Sequence, residues 1–316
     1  MNLNSKTTAF LFPGQGAQEV GMGKELAERF PKAKALFQQA DELLGFSLST
    51  LAWEGPEDVL NDTINTQPAL LVHAIAAWQV FQENYPDFQP AYVAGHSLGE
   101  LTALVAAGAL PFADALKLVR RRGELMQAAG ENTPGGMAAI LGLDIPTMET
   151  ICAQASTAEE NVQVANDNCP GQVVISGDTP ALERVLPLAE AAGARRVVKL
   201  AVSIAAHSHC MRYAQEEFNT AVEAASISDP AIPIIANVVA QPMKKASNIA
   251  ADLKAQLTSR VRWTESMRYL LDQGVDTFIE FGPGDVLIGL MKRIERKTER
   301  LALGSPADFE KLNQNS

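Results

Sequence analysis

Residues 91–107 constrain this chain more tightly than any other stretch. A short apolar run, Ala91-Tyr92-Val93-Ala94, meets Gly95-His96-Ser97-Leu98-Gly99 and then an Ala/Leu-rich segment over residues 100–107. The order is strand, sharp turn, helix. A serine set between two glycines at such a turn is a nucleophile elbow. The glycines let strand and helix pack closely, and the hydroxyl stands at the helix N-terminus. There the free N–H groups and the helix dipole favour negative charge. A bare Gly-x-Ser-x-Gly is a weak pattern. Its strand–turn–helix context makes Ser97 the candidate nucleophile.

The rest of the first half repeats the alternation. Residues 8–12 read as a buried strand ending in the loop Pro13-Gly14-Gln15-Gly16-Ala17-Gln18. Helical patterns follow to about residue 45, from 68 to about 82, and from 112 to about 129. Alternation of this kind gives a parallel sheet covered on both faces. After a break at residues 131–136 the rhythm changes. Strands are expected at 137–141, 162–165, 172–176 and 196–200, with helices at 146–155 and 179–192. That β-α-β-β-α-β order is ferredoxin-like. Late strands are expected at 232–237 and 277–281, before the turn Gly282-Pro283-Gly284. The domain reading is a large unit of residues 1–130 and 201–316, rejoined at Ser203, with a small unit of residues 131–200 inserted.

Composition excludes several classes of function. With 316 residues, 47% of them apolar and 20% charged, the chain can bury a sizeable core. The formal charge, 26 − 37 = −11, argues against nucleic acid or an anionic membrane as partner. The three cysteines, Cys152, Cys169 and Cys210, are too scattered for a disulfide framework and lack zinc-site spacing. A reducing, cytoplasmic setting fits. The apolar run at residues 9–12 is too short for a signal peptide, and residues 68–81, broken by His73 and Gln79, fall short of a membrane span. No cluster suggests a metal, flavin or nicotinamide, so neither a metal nor a cofactor is expected.

A serine nucleophile needs a base, and four histidines are available. His73 sits in an apolar helical pattern and suits a core position; His96 is constrained beside the nucleophile. His207 and His209 lie in a small-residue loop over residues 202–210. Either could take the Ser97 proton; spacing does not choose between them.

Four stretches, in order, resemble the malonyl-CoA:acyl-carrier-protein transacylase family. They are residues 13–18, Gly95-His96-Ser97-Leu98-Gly99-Glu100, Arg122-Gly123 within a helix, and the loop bearing His207. Lesser matches are Thr66-Gln67-Pro68-Ala69, residues 166–172 and Gly282-Pro283-Gly284. The resemblance spans about residues 8–304. It implies an α/β fold, with a large α/β-hydrolase-like domain built on a parallel sheet and a small inserted ferredoxin-like α+β domain. It implies a ping-pong mechanism in which Ser97 becomes a malonyl ester and His207 is the base, leaving His209 a bystander. The backbone carbonyl of Gln256 would orient the histidine. The backbone N–H groups of Gln15 and Leu98 would form the oxyanion hole. Arg122 would grip the malonyl carboxylate with two parallel hydrogen bonds, as lysine cannot. Arg120 and Arg121, about 100° apart on the helix, are expected to form a solvated basic face. Gln67, Asn166 and Asn168 match pocket positions. Two departures stand out: Ala17 replaces a serine common in the family's glycine loop, and Ile204-Ala205-Ala206 matches neither common polyketide pattern.

The partners that the resemblance implies are malonyl-CoA, a substrate rather than a cofactor, and acyl carrier protein. Both are anionic, so an acidic enzyme must offer them a local basic surface. Residues 292–300, with five positive and two negative charges, are the best candidate, through Lys292, Arg293 and Arg296. Arg260, Arg262, Lys244 and Lys245 are further candidates. A monomer serving fatty-acid synthesis is expected. The alternatives are the same chemistry acting in trans for a polyketide synthase, and an editing acyl hydrolase or thioesterase.

Overall fold

The computed structural model describes residues 3–202 and 204–314; Ser203, the expected point of return to the larger unit, lies outside the described residues. Among the described residues, ten strands fall into two sheets. They are β1 (Thr8–Phe12), β2 (Tyr92–Gly95), β3 (Gly135–Leu141), β4 (Val162–Cys169), β5 (Gln172–Asp178), β6 (Arg196–Lys199), β7 (Ile234–Ile235), β8 (Pro242–Met243), β9 (Thr277–Phe281) and β10 (Glu299–Leu303).

The first sheet runs β10-β9-β1-β2-β7-β8, parallel from β10 through β7 and antiparallel only at β8. Every residue of β1 and β9 is buried. That is why both read as nearly unbroken apolar runs rather than alternating ones. On one face Phe10 meets Phe81 edge-on at 5.3 Å and Phe281 at 4.9 Å, anchoring the helix Thr63–Asn84 to the sheet. On the other face Ala9, Leu11, Ala94 and Phe278 lie under Trp263, Met267 and Leu270.

The second sheet runs β4-β5-β3-β6 and is antiparallel throughout. The helices Ile145–Ala155 and Thr179–Ala191 cover one face, over Ala138, Ile140, Val164, Val173 and Ile175. By the two-residue period of a strand, Met137, Ala139 and Val174 point to the opposite face, toward a cavity shared with the first sheet.

Several element boundaries differ from those expected. The helix expected from residue 68 begins at Thr63, with Pro68 inside it. Proline cannot donate to the carbonyl four residues earlier. Here the Arg120 guanidinium fills that role, donating to the Ile64 carbonyl at 2.9 Å. The strand expected at 232–237 shrinks to Ile234–Ile235. The strand expected at 162–165 runs on to Cys169 with two register shifts. The charged stretch 292–300 is not one element: a helix ends at Ile294 and β10 starts at Glu299.

Candidate active site

Ser97 lies where β2 turns into the helix Leu98–Ala106, with φ 53° and ψ −109°. Such a backbone costs on the order of 1–3 kcal/mol and persists only where its surroundings enforce it. The two flanking glycines are sterically required. A Cβ on Gly95 would lie 1.8 Å from the Gly99 carbonyl oxygen, and one on Gly99 would lie 2.0 Å from that of Phe12. Gly14 is tied in the same way, since its Cβ would come within 2.5 Å of the His96 carbonyl oxygen. The glycine loop is thereby pressed against the elbow.

Of the two candidate histidines, His207 is the one beside Ser97. Ser97 Oγ is 2.7 Å from His207 Nε2, and His207 Nδ1 is 2.9 Å from the Gln256 carbonyl oxygen. A carbonyl only accepts, so Nδ1 carries the proton and the Nε2 lone pair faces the hydroxyl. Gln163 of β4 donates to the His207 carbonyl at 3.0 Å, holding a residue whose φ is 59°. Burial, and next the positive charge of Arg122, push the His207 imidazole down to about 3. It is therefore neutral at physiological pH and able to accept a proton. His209 turns away, with Nε2 2.9 Å from Asp178 Oδ2. Cys210 completes a cluster with these two, its thiol pushed up to about 11 by burial. Sequence spacing gave no hint of that grouping, because Asp178 comes from another element.

Arg122 lies in the apolar stripe of the helix Phe112–Asn132, between Val119 and Met126. It is 1% exposed. Its guanidinium donates to Gln67 Oε1 at 2.7 Å, Gln256 Oε1 at 2.9 Å and Ser97 Oγ at 3.0 Å. All three acceptors are uncharged. Among the described residues no carboxylate touches it, and its Nε has no partner. Burial lowers it to about 10, with the charge of Glu100 opposing, so it remains a cation. A buried cation without a paired anion is costly, and an anion beside it would offset that cost. Gly123 has its own purpose: a Cβ there would come within 2.9 Å of the backbone at Thr63 and Ile64, so the two helices approach only over glycine. Arg120 and Arg121 are not a plain solvated face. Arg120 bonds Ile64, Asn65 and Glu124, while Arg121 pairs with Glu124 and Glu217.

These groups open onto a cavity of about 290 Å³. Gln15, Leu98, Asn166 and Asn168 line it beside Ser97, Arg122 and His207. The N–H groups of Ser97 and Gly99 are committed to Asn237 and to the His96 carbonyl, leaving that of Leu98 at the helix start among the described residues. Asn166 and Asn168 reach this face because β4 is irregular. The register shift after Val164 sets Asn166 opposite Val174 on the cavity face, and Asn168 is the unpaired residue at the second shift, between Asp167 and Cys169. Asn168 also accepts from the His96 ring at 2.8 Å. Gln67 is fully buried behind Arg122 and positions the guanidinium from there. Arg293 stands at the rim, bonding Gln172, itself a lining residue, at 2.5 Å; Lys292 and Arg296 are exposed nearby in the chain.

Sequence reasoning missed three groups at the site. Asn237, Gln163 and Glu100 each hold part of the machinery. Only Glu100 lies in a recognisable motif, residues 95–100, and its type gave no sign of a buried role.

The chain and its fold have close counterparts. A family model described as the acyl transferase domain matches residues 9–302. The malonyl CoA-acyl carrier protein transacylase of Bacillus subtilis (strain 168) is 46% identical over 302 residues, 96% of this chain and 95% of that protein. An acyl carrier protein S-malonyltransferase from Vibrio cholerae O1 biovar eltor str. N16961 superposes with a TM-score of 0.93 at 42% identity, over 97% of this chain and 99% of that one. A malonyl-transacylase solved in complex with its type II PKS acyl-carrier protein gives a TM-score of 0.94 at 40% identity, over 98% and 99% of the two chains. With the family's model matched from β1 to β10 and such identity end to end, the chain belongs to the acyl transferase family, in its malonyl CoA-acyl carrier protein transacylase group.

Proposed function

We propose that this enzyme moves a malonyl group from malonyl-CoA to the phosphopantetheine thiol of acyl carrier protein, by two half-reactions through Ser97. His207 Nε2 takes the Ser97 proton as Oγ attacks the thioester carbonyl. The oxyanion is received by the N–H groups of Leu98 and Gln15, each such donor contributing about 10²–10³ in rate. The intermediate expels the CoA thiolate, which takes the proton from His207. The carrier thiol then enters, gives its proton to His207 and attacks the ester carbonyl, and the returning proton restores Ser97. The Gln256 carbonyl keeps His207 in the required tautomer, a task often given to a carboxylate. Each of these roles falls to a group of the chain itself.

The observation that carries the malonyl reading is the buried Arg122 guanidinium, bonded only to uncharged oxygens and within 3.0 Å of the nucleophile. A free carboxylate on the acyl group supplies the missing anion. Asn166 and Asn168 border the acyl group. Arg293, with Lys292 and Arg296, meets the phosphates of CoA and the acidic carrier at the rim. Fatty-acid synthesis is the leading pathway, carried out by a cytoplasmic monomer whose small unit, residues 131–200, roofs the site. The 40% identity to a transacylase solved with a type II PKS carrier supports a second pathway with the same chemistry.

The test is transfer itself. With malonyl-CoA and holo acyl carrier protein, malonyl-carrier should accumulate with parallel-line kinetics and little free malonate. Steady malonate release independent of carrier would make the enzyme a hydrolase and overturn the proposal.

A further inference from the structure

Ser97 and its neighbours are gripped from outside their own turn by a residue that takes no part in the proposed chemistry. Asn237 follows β7, and its side chain is 2% exposed. Its Oδ1 accepts the Ser97 N–H at 2.7 Å, and its Nδ2 donates to the Gly95 carbonyl at 2.7 Å. The two bonds fix which way the amide points, since only oxygen can face an N–H and only nitrogen a carbonyl. The backbone N–H of Asn237 is held in turn by Glu100 Oε1 at 3.1 Å, and its carbonyl accepts from the Arg262 N–H at 2.9 Å. Glu100 belongs to the helix that Ser97 starts. The loop after β7 is thereby bonded to both sides of the elbow, to the strand end at Gly95 and the helix start at Ser97 and Glu100.

The amide does two things that neighbouring groups do not. Ser97 adopts φ 53°, a backbone that an L-residue keeps only under constraint, and the amide closes a bridge across that residue. It also occupies the Ser97 N–H. Without it, that N–H would be free to compete for the oxyanion or for water, and the elbow would be free to relax.

From this geometry we infer that Asn237 is a positioning residue for acyl transfer: its side-chain amide holds the strained elbow so that Ser97 Oγ meets His207 Nε2 and the Leu98 N–H points at the oxyanion. The inference rests on Ser97 as nucleophile. Because Asn237 contacts neither Arg122 nor the cavity, its loss should act on the chemical step and leave substrate binding alone.

Two variants test this by rapid-quench measurement of acyl-enzyme formation from malonyl-CoA. Asn237→Ala removes both bonds. Asn237→Asp keeps the acceptor for Ser97 but sets a carboxylate oxygen against the Gly95 carbonyl. Both should slow acylation by about 10²-fold, the scale expected for displacing a reacting atom by about 1 Å. The KM for malonyl-CoA should stay within about twofold and melting within a few degrees. The aspartate variant carries a further signature. Once protonated, its carboxyl can donate to Gly95 and accept from Ser97, as the amide does. Its deficit relative to wild type should therefore narrow as pH falls. The carboxyls of Glu100 and Asp252 accept from the backbone N–H groups at 237–239, and negative charge that close favours protonation of the introduced carboxylate.

Folded variants that acylate within threefold of wild type would overturn the inference, as would a loss confined to KM. If both variants fail to fold, Asn237 serves stability and the positioning role falls. Ser97→Ala separates the two readings. Should that protein still form an adduct, the nucleophile assignment is wrong; if it is silent while the Asn237 variants are fully active, only the present inference is wrong.

Discussion

At the scale of single residues, the site is organised around a cation that the fold has not neutralised. Arg122 is held by Gln67 and Gln256, amides rather than carboxylates, so its charge remains available to a ligand. We predict that Arg122→Ala lowers kcat/KM for malonyl-CoA by about 10²–10³-fold, the usual scale for truncating one partner of a buried charge pair. Relative activity on acetyl-CoA should rise. An equal fall on both substrates would make Arg122 a structural residue. The same substitution carries a pH consequence. The Arg122 charge is the second cause, after burial, that holds the His207 imidazole low. Wild-type acylation should therefore persist well below pH 6.5, and its acid limb should move to higher pH in Arg122→Ala. Of these residues, Ser97 and the family positions of Arg122, His207 and Gln256 were legible in the sequence, because their neighbours form recognisable local patterns. Asn237 and Gln163 were not. Each acts across more than 40 residues of chain, and nothing around either one marks it.

At the scale of elements, short-range patterns were read well and pairings were not. β1 and β9 stand at the expected residues because buried parallel strands are continuous apolar runs bounded by turns. β10 was hidden among the charges of residues 292–300, since an edge strand needs little apolar surface. The irregularity of β4 was invisible too, although it is what turns Asn166 and Asn168 toward the cavity. The division of the charged stretch bears on carrier docking. Arg293 is in the last turn of its helix and reaches Gln172 at the cavity rim, while Arg296 lies in the connection to β10. Arg300 is instead folded back onto the carbonyls of Glu295, Arg296 and Thr298. Reversing charge at Arg293 and Arg296 together should raise the KM for carrier protein about tenfold, more at low salt than at high. An unchanged carrier KM would remove this rim from the docking surface.

At the scale of the whole molecule, buried titrating groups set the pH range over which the site stays assembled. His73 is pushed down to about 4 and His207 to about 3, both chiefly by burial, against 6.5 for a free imidazole. The unfolded chain protonates first, so each ring withdraws stability as pH falls from about 6.5 toward its folded value, by up to ~1.4 kcal/mol per pH unit. Glu280 works the other way. Burial raises it to about 7, so its contribution is full below about 4.5 and is lost as pH rises to about 7. Glu280 offsets one of the two rings between about 4.5 and 6.5, so the acid loss is shallower there than between about 4.5 and 4, where both rings act unopposed. His73→Gln keeps a donor for the Gly304 carbonyl, now at 2.8 Å from the ring, and should melt with a shallower acid loss than wild type. Equal losses would remove His73 from this balance. The central claim, that Ser97 carries a malonyl group selected through Arg122, is tested most directly by weighing the intact protein after incubation with malonyl-CoA alone, beside a parallel incubation with acetyl-CoA. A single malonyl adduct on Ser97 and little acetyl adduct are the expected result. Continuous release of free acid with no adduct, or equal adducts from both thioesters, would contradict it.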